Sequence, residues 1–123
     1  MVALMDGYPD HVVAYRAAGK VTQGEYERVV MARVNEVAAR YGKINFIVFL
    51  ETGMENYSLM ALFDYLKISF KHFSKWNRMA IVPDQRWLRT LYRALNLIVR
   101  GEIRCYPLAA SIKATDWVSK PLP

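Results

Sequence analysis

The segment Ile44-Asn45-Phe46-Ile47-Val48-Phe49-Leu50 constrains this chain more than any other. Its side chains are almost all β-branched, aromatic or otherwise apolar, with no alternation between apolar and polar. That pattern belongs to a strand covered on both faces, and such strands are typical of parallel sheets flanked by helices. The chain must therefore supply helices around this strand.

A helix is predicted just before it. Thr22-Gln23-Gly24-Glu25 has the spacing of a capping box, with the Thr22 hydroxyl and the Glu25 carboxylate each satisfying an orphan amide. Tyr26, Val29, Val30, Val34, Val37 and Tyr41 then recur at helical steps, Glu27, Arg28, Glu36 and Arg40 are left for water, and Gly42 is placed to end the helix. Upstream, Leu4-Met5 and Val12 to Ala18 read as two short strands around the turn signal Pro9-Asp10. Downstream, Ser58 can cap a helix running to about Phe73, Arg78 to Val82 reads as a strand, and Asp84 can cap a helix running to about Asn96. Glu102 to Tyr106 gives a further strand stopped by Pro107, and Ala109 to Ser119 a terminal helix. The order β-β-α-β-α-β-α-β-α predicts one α/β domain over residues 1–123, a mixed sheet of about five strands packed with four helices.

Recognisable chemistry is sparse. Gly19-Lys20 lacks the glycine spacing of a phosphate-binding loop, and His11 and His72 have no metal-ligand spacing around them. Cys105 falls in a predicted strand, where cysteines are usually inert small hydrophobes. Glu51 and Glu55 follow the central strand, but two carboxylates in a polar loop are ordinarily just solvated. No catalytic residue, metal or cofactor is expected, and the chain reads as a non-enzyme. The longest unbroken apolar run, Phe46 to Leu50, is too short to span a membrane, Met1 to Asp6 does not resemble a secretory signal, and the single cysteine suits a reducing compartment. The expectation is a cytoplasmic protein, with membrane association as an option.

Charge gives the first pointer to a partner. Between Met60 and Arg100 eight basic residues face two acidic ones, while the rest of the chain is balanced, so the whole net charge of +6 belongs to this window. An anionic partner on that side would explain it, and so would a merely solvated basic face. The two helices in the window are also apolar on most of their circumference, and a small sheet covers only one side of a helix. Packing on each other, self-association into a homo-oligomer, or an apolar or amphipathic ligand or anionic membrane surface would each bury the excess. On the ligand reading, Phe63, Leu66, Phe70, Trp87, Tyr92 and Leu95 line an apolar space, and Lys67, Lys71, Arg86, Arg89 and Arg93 meet phosphates. No nucleic-acid partner is expected, because no helix-turn-helix, zinc or RNA-binding signature accompanies the charge.

Several stretches carry a family resemblance: Val13-Ala14-Tyr15-Arg16-Ala17-Ala18-Gly19-Lys20-Val21-Thr22, Glu25-Tyr26-Glu27, Tyr41-Gly42-Lys43-Ile44, Trp76-Asn77-Arg78-Met79-Ala80-Ile81-Val82-Pro83-Asp84, and Gly101-Glu102-Ile103-Arg104 with Tyr106-Pro107-Leu108. In this order, over nearly the whole chain, they resemble the bacterial SpoIIAA-like family of STAS-related proteins. The resemblance implies a β-α superhelix with a mixed sheet, shared in outline with STAS domains and with CRAL-TRIO lipid carriers. The STAS side implies a regulatory, protein-binding module akin to anti-sigma factor antagonists. Their phosphorylatable serine opens the helix after the central strand, where Ser58 stands here, although the Asp-Ser-x-Gly pattern is absent and Ser58 also reads as a plain helix cap. The CRAL-TRIO side implies an apolar pocket under mobile helices.

Overall fold

A computed structural model describes residues 1–51, 76–83 and 103–123. Strands β1 (Val2–Leu4), β2 (Val12–Ala17), β3 (Ile44–Leu50), β4 (Trp76–Pro83) and β5 (Ile103–Cys105) form one sheet in chain order. β1 is antiparallel to β2, and every other pairing is parallel. β3 sits at the centre, as its apolar run requires, and only Phe49 of its seven residues is not fully buried. The two expected helices over 58–73 and 84–96 lie outside the described residues.

Between β2 and β3 runs helix α1, built without a break from Gln23–Tyr26, a π-helical turn Glu27–Met31, and Ala32–Tyr41. The capping box is half formed. Thr22 Oγ1 accepts from the Glu25 amide at 3.2 Å, whereas the Glu25 carboxylate turns to the Met1 amine at 3.5 Å instead of reaching back to Thr22. Gly42 ends the helix with φ +74° and donates its amide to Ala38 O at 2.9 Å. Such a left-handed cap strains any residue with a Cβ. The π turn has a reason in the spacing. Tyr26, Val30 and Val34 are all buried at strict steps of four, and an α-helix of 3.6 residues per turn would rotate them progressively off one line. A wider π turn absorbs that mismatch.

α1 covers one face of the sheet, where Val13, Tyr15, Phe46, Val48, Leu50 and Ile81 meet Tyr26, Val30, Val34 and Val37. Tyr15, fully buried, meets Phe46 edge-on with ring centres 5.0 Å apart. Its hydroxyl has no hydrogen bond of ordinary geometry. Burial first, and then the neighbouring Tyr26 phenol, push its pKa well above the usual tyrosine value. On the opposite face lies helix α2 (Ser111–Ser119), entered through the 3-10 turn Leu108–Ala110; it buries Ala114, Trp117 and Val118 against Val12, Ala14, Ile47, Ala80 and Val82.

Candidate functional site

A parallel sheet has two chemically different ends, and here they hold two different polar arrangements. Open α/β sheets bind ligands and partners at the carboxyl end of their strands. At that end β2 and β3 finish side by side, with Arg16 opposite Phe49 and Ala17 opposite Leu50. The Glu51 amide donates to Ala17 O at 2.8 Å, extending the ladder one residue past β3. This brings Glu51 within 3.5 Å of Arg16, and both side chains are well exposed, at 38% and 48%. The result is an exposed ion pair where two paired strands end. Glu55, weighed from sequence as a companion carboxylate, lies outside the described residues, and the neighbour of Glu51 is a cation.

At the amino end, polar side chains grip the end of α2. Asn45 is the one buried polar residue among those described. Its Nδ2 donates to Val118 O at 2.7 Å and to Lys120 O at 3.4 Å, while its Oδ1 accepts from Asn77 Nδ2 at 2.9 Å. Arg78 donates to Trp117 O at 2.8 Å, and His11 Nε2 lies 2.9 Å from Lys120 O. The indole of Trp117 has the guanidinium of Arg78 5.3 Å from its ring centre and that of Arg104 4.5 Å away. Carbonyls at a helix carboxyl terminus lack intrahelical partners and carry partial negative charge, so amide and guanidinium donors are the right complement. This end is a structural clamp.

Cys105 is half-buried, and desolvation pushes its thiol from 9.0 to about 11, so at neutral pH almost none is thiolate. Among the described residues no three His, Cys, Asp or Glu side chains come together to hold a metal ion, and no helix is long and apolar enough to cross a membrane.

The residues singled out from sequence as ligand-contacting do not fall in the described regions. Phe63, Leu66, Phe70, Trp87, Tyr92 and Leu95, the basic set Lys67, Lys71, Arg86, Arg89 and Arg93, and Ser58 all lie outside them. Sequence reasoning also passed over Arg16 as a site residue. Its signal was an arginine at an otherwise apolar strand's last turn outward. Asn45 was equally legible as one polar residue inside an apolar run.

A family model described as SpoIIAA-like matches residues 12–119. No curated protein and no solved structure matches the chain.

Proposed function

The chain belongs to the SpoIIAA-like family, and on that premise we propose that it is a non-catalytic, STAS-type regulatory module, a single domain that binds a protein partner at the carboxyl end of its parallel strands. The observation that carries this reading is the exposed Arg16–Glu51 pair on the ends of β2 and β3. A partner there would meet one cation and one anion, an arrangement that favours specificity over raw affinity. Phosphorylation of Ser58 would add roughly two negative charges to the module.

The test is capture of partners by the purified, immobilised chain, comparing wild type with Arg16→Glu, Ser58→Ala and Ser58→Asp. A protein retained by wild type and lost on charge reversal at Arg16 supports the reading. Equal capture by all four refutes the proposed surface and the switch together.

Docking of an apolar or amphipathic ligand, or peripheral docking on anionic membrane, is the second reading, and the basic excess between Met60 and Arg100 is what supports it. Co-sedimentation with anionic and neutral liposomes separates the two. Salt-sensitive binding to anionic vesicles that is lost in Arg89→Glu/Arg93→Glu would favour lipid over protein.

A further inference from the structure

β1 is an edge strand, and its register determines which of its backbone groups are free. Ala18 donates to Met1 O at 2.9 Å and Met5 to Ala14 O at 2.9 Å, with Ala3 opposite Arg16 between them. In an antiparallel ladder these alternate positions take the inter-strand bonds, so Val2 and Leu4 turn their N–H and C=O groups away from β2. Among the described residues no hydrogen bond takes those groups up; Val2 is 6% exposed, so Leu4 presents the more open of the two. An unpaired edge of this kind is a template for another strand. Leu4 adds an apolar side chain that is 45% exposed at the same edge.

Beyond the end of β1 the edge runs into a cleft of about 400 Å³, lined among others by Leu4, Asp6, Tyr8, Asp10, Arg33 and Glu36. The chain as a whole is basic, with a net charge of +6, but this cleft is not. Arg33 is engaged by Glu36 at 3.0 Å and donates to Asp10 O at 3.4 Å. Asp10 has only the distant Arg40, at 3.9 Å. Asp6 is exposed and has no ion-pair partner among the described residues.

We infer that the free edge of β1 binds an extended segment of a partner protein by strand addition, in which apolar residues alternate with Lys or Arg and a basic side chain enters the acidic cleft. Main-chain bonds to Val2 and Leu4 supply affinity, and the carboxylates of Asp6, Asp10 and Glu36 supply selectivity for a cation. The inference rests on the protein-binding reading and adds a second contact surface with its chemistry. A second copy of this chain fits less well. Pairing β1 with β1 engages only the three residues of the strand, whereas a peptide continues past Leu4 into the cleft.

The experiment is an amide-shift titration of the isotope-labelled full chain by NMR with two capped hexapeptides at millimolar concentration, Lys-Val-Lys-Val-Lys-Val and Glu-Val-Glu-Val-Glu-Val. The lysine peptide should shift the amides of Val2, Leu4 and Asp6, and the glutamate peptide should not. Leu4→Pro deletes an N–H the protein does not use internally and should weaken binding by about tenfold or more, the loss of roughly 1.4 kcal/mol. A lysine peptide N-methylated at alternate residues, so that it cannot donate into the ladder, should fail equally and needs no change to the protein. No shift at Val2 and Leu4, an equal response to the glutamate peptide, or undiminished binding of the N-methylated peptide overturns the inference. So does sedimentation showing the free chain to be a dimer whose Val2 and Leu4 amides are already protected, since a second copy then holds the edge. Partner capture that depends on Arg16 and not on Leu4 would sink the strand addition alone and leave the regulatory reading standing.

Discussion

Replacing Asn45 by Ala would test whether the amino-end clamp holds α2 on the sheet. The substitution deletes three hydrogen bonds made by one buried side chain. Their loss is unequal. Lys120 O keeps His11 as a partner, and Asn77 is only half-buried and can turn its amide to water. Val118 O is left without its short buried bond, which costs about 1–3 kcal/mol for a stranded buried acceptor. The space vacated by the amide adds about 1 kcal/mol. The expected destabilisation is thus about 2–4 kcal/mol, read as a lower urea midpoint at unchanged slope. For a domain of this size it corresponds to a melting temperature lower by about 8–16 °C. Hydrogen exchange should locate the effect, with the amides of α2 losing protection before those of α1. A loss below about 1 kcal/mol, or exchange that speeds up in α1 as much as in α2, would refute the clamp.

Three further outcomes follow from the core and the helix. Deleting Arg28 from the π turn restores three-and-four spacing between Tyr26, Val30 and Val34, so stability should stay within about 1 kcal/mol of wild type, whereas deleting Asn35 from the regular part of α1 twists Val37 off the core and should cost several; urea titration distinguishes them. Tyr15→Phe removes a hydroxyl with no hydrogen bond of ordinary geometry, so it should change stability by less than about 1 kcal/mol in either direction. It should also remove one source of alkaline sensitivity: with its folded pKa raised, Tyr15 keeps its proton while the unfolded chain loses one, so its contribution is full below about pH 10 and falls as pH rises further. With its thiol pushed from 9.0 to about 11, Cys105 should react with iodoacetamide at pH 8 about 100-fold more slowly in the folded chain than in urea; comparable rates would contradict its burial.

The parts of the fold written in local patterns were legible in the sequence. The Thr22 cap, the Gly42 stop and the strand Ile44–Leu50 appear where side-chain spacing placed them, because each is decided by neighbours within a few residues. Errors arose where a distant residue decides. β4 begins at Trp76, earlier than the apolar run from Arg78 suggested, because Asn77, a poor strand former, is held there by Asn45 across the sheet. β1 is Val2–Leu4 with Met5 still bonded to β2, so the strand starts two residues before the expected Leu4-Met5. The terminal helix enters through a 3-10 turn after Pro107. The π turn was readable in principle from the unbroken four-residue steps, but apolar periodicity alone does not separate 3.6 from 4.4 residues per turn over so short a stretch. The site was less legible than the fold. Composition drew attention to charged and aromatic residues between 58 and 96, whereas the exposed Arg16–Glu51 pair depends on two strands lying in register, which no linear spacing encodes.

The sheet's strand order is also the order of synthesis, and this bears on how the chain matures. As each strand leaves the ribosome its neighbour in the sheet is already present, so the layer can grow from one side without waiting for distant sequence. The clamp at the amino end is the exception. His11 and Asn45 reach partners 109 and 73 residues further along, so these contacts of β2 and β3 wait until the residues of α2 and Lys120 have been made. Chaperone recognition should peak in that interval, and slow codons placed just before Lys120 should lower soluble yield more than the same change placed within β1.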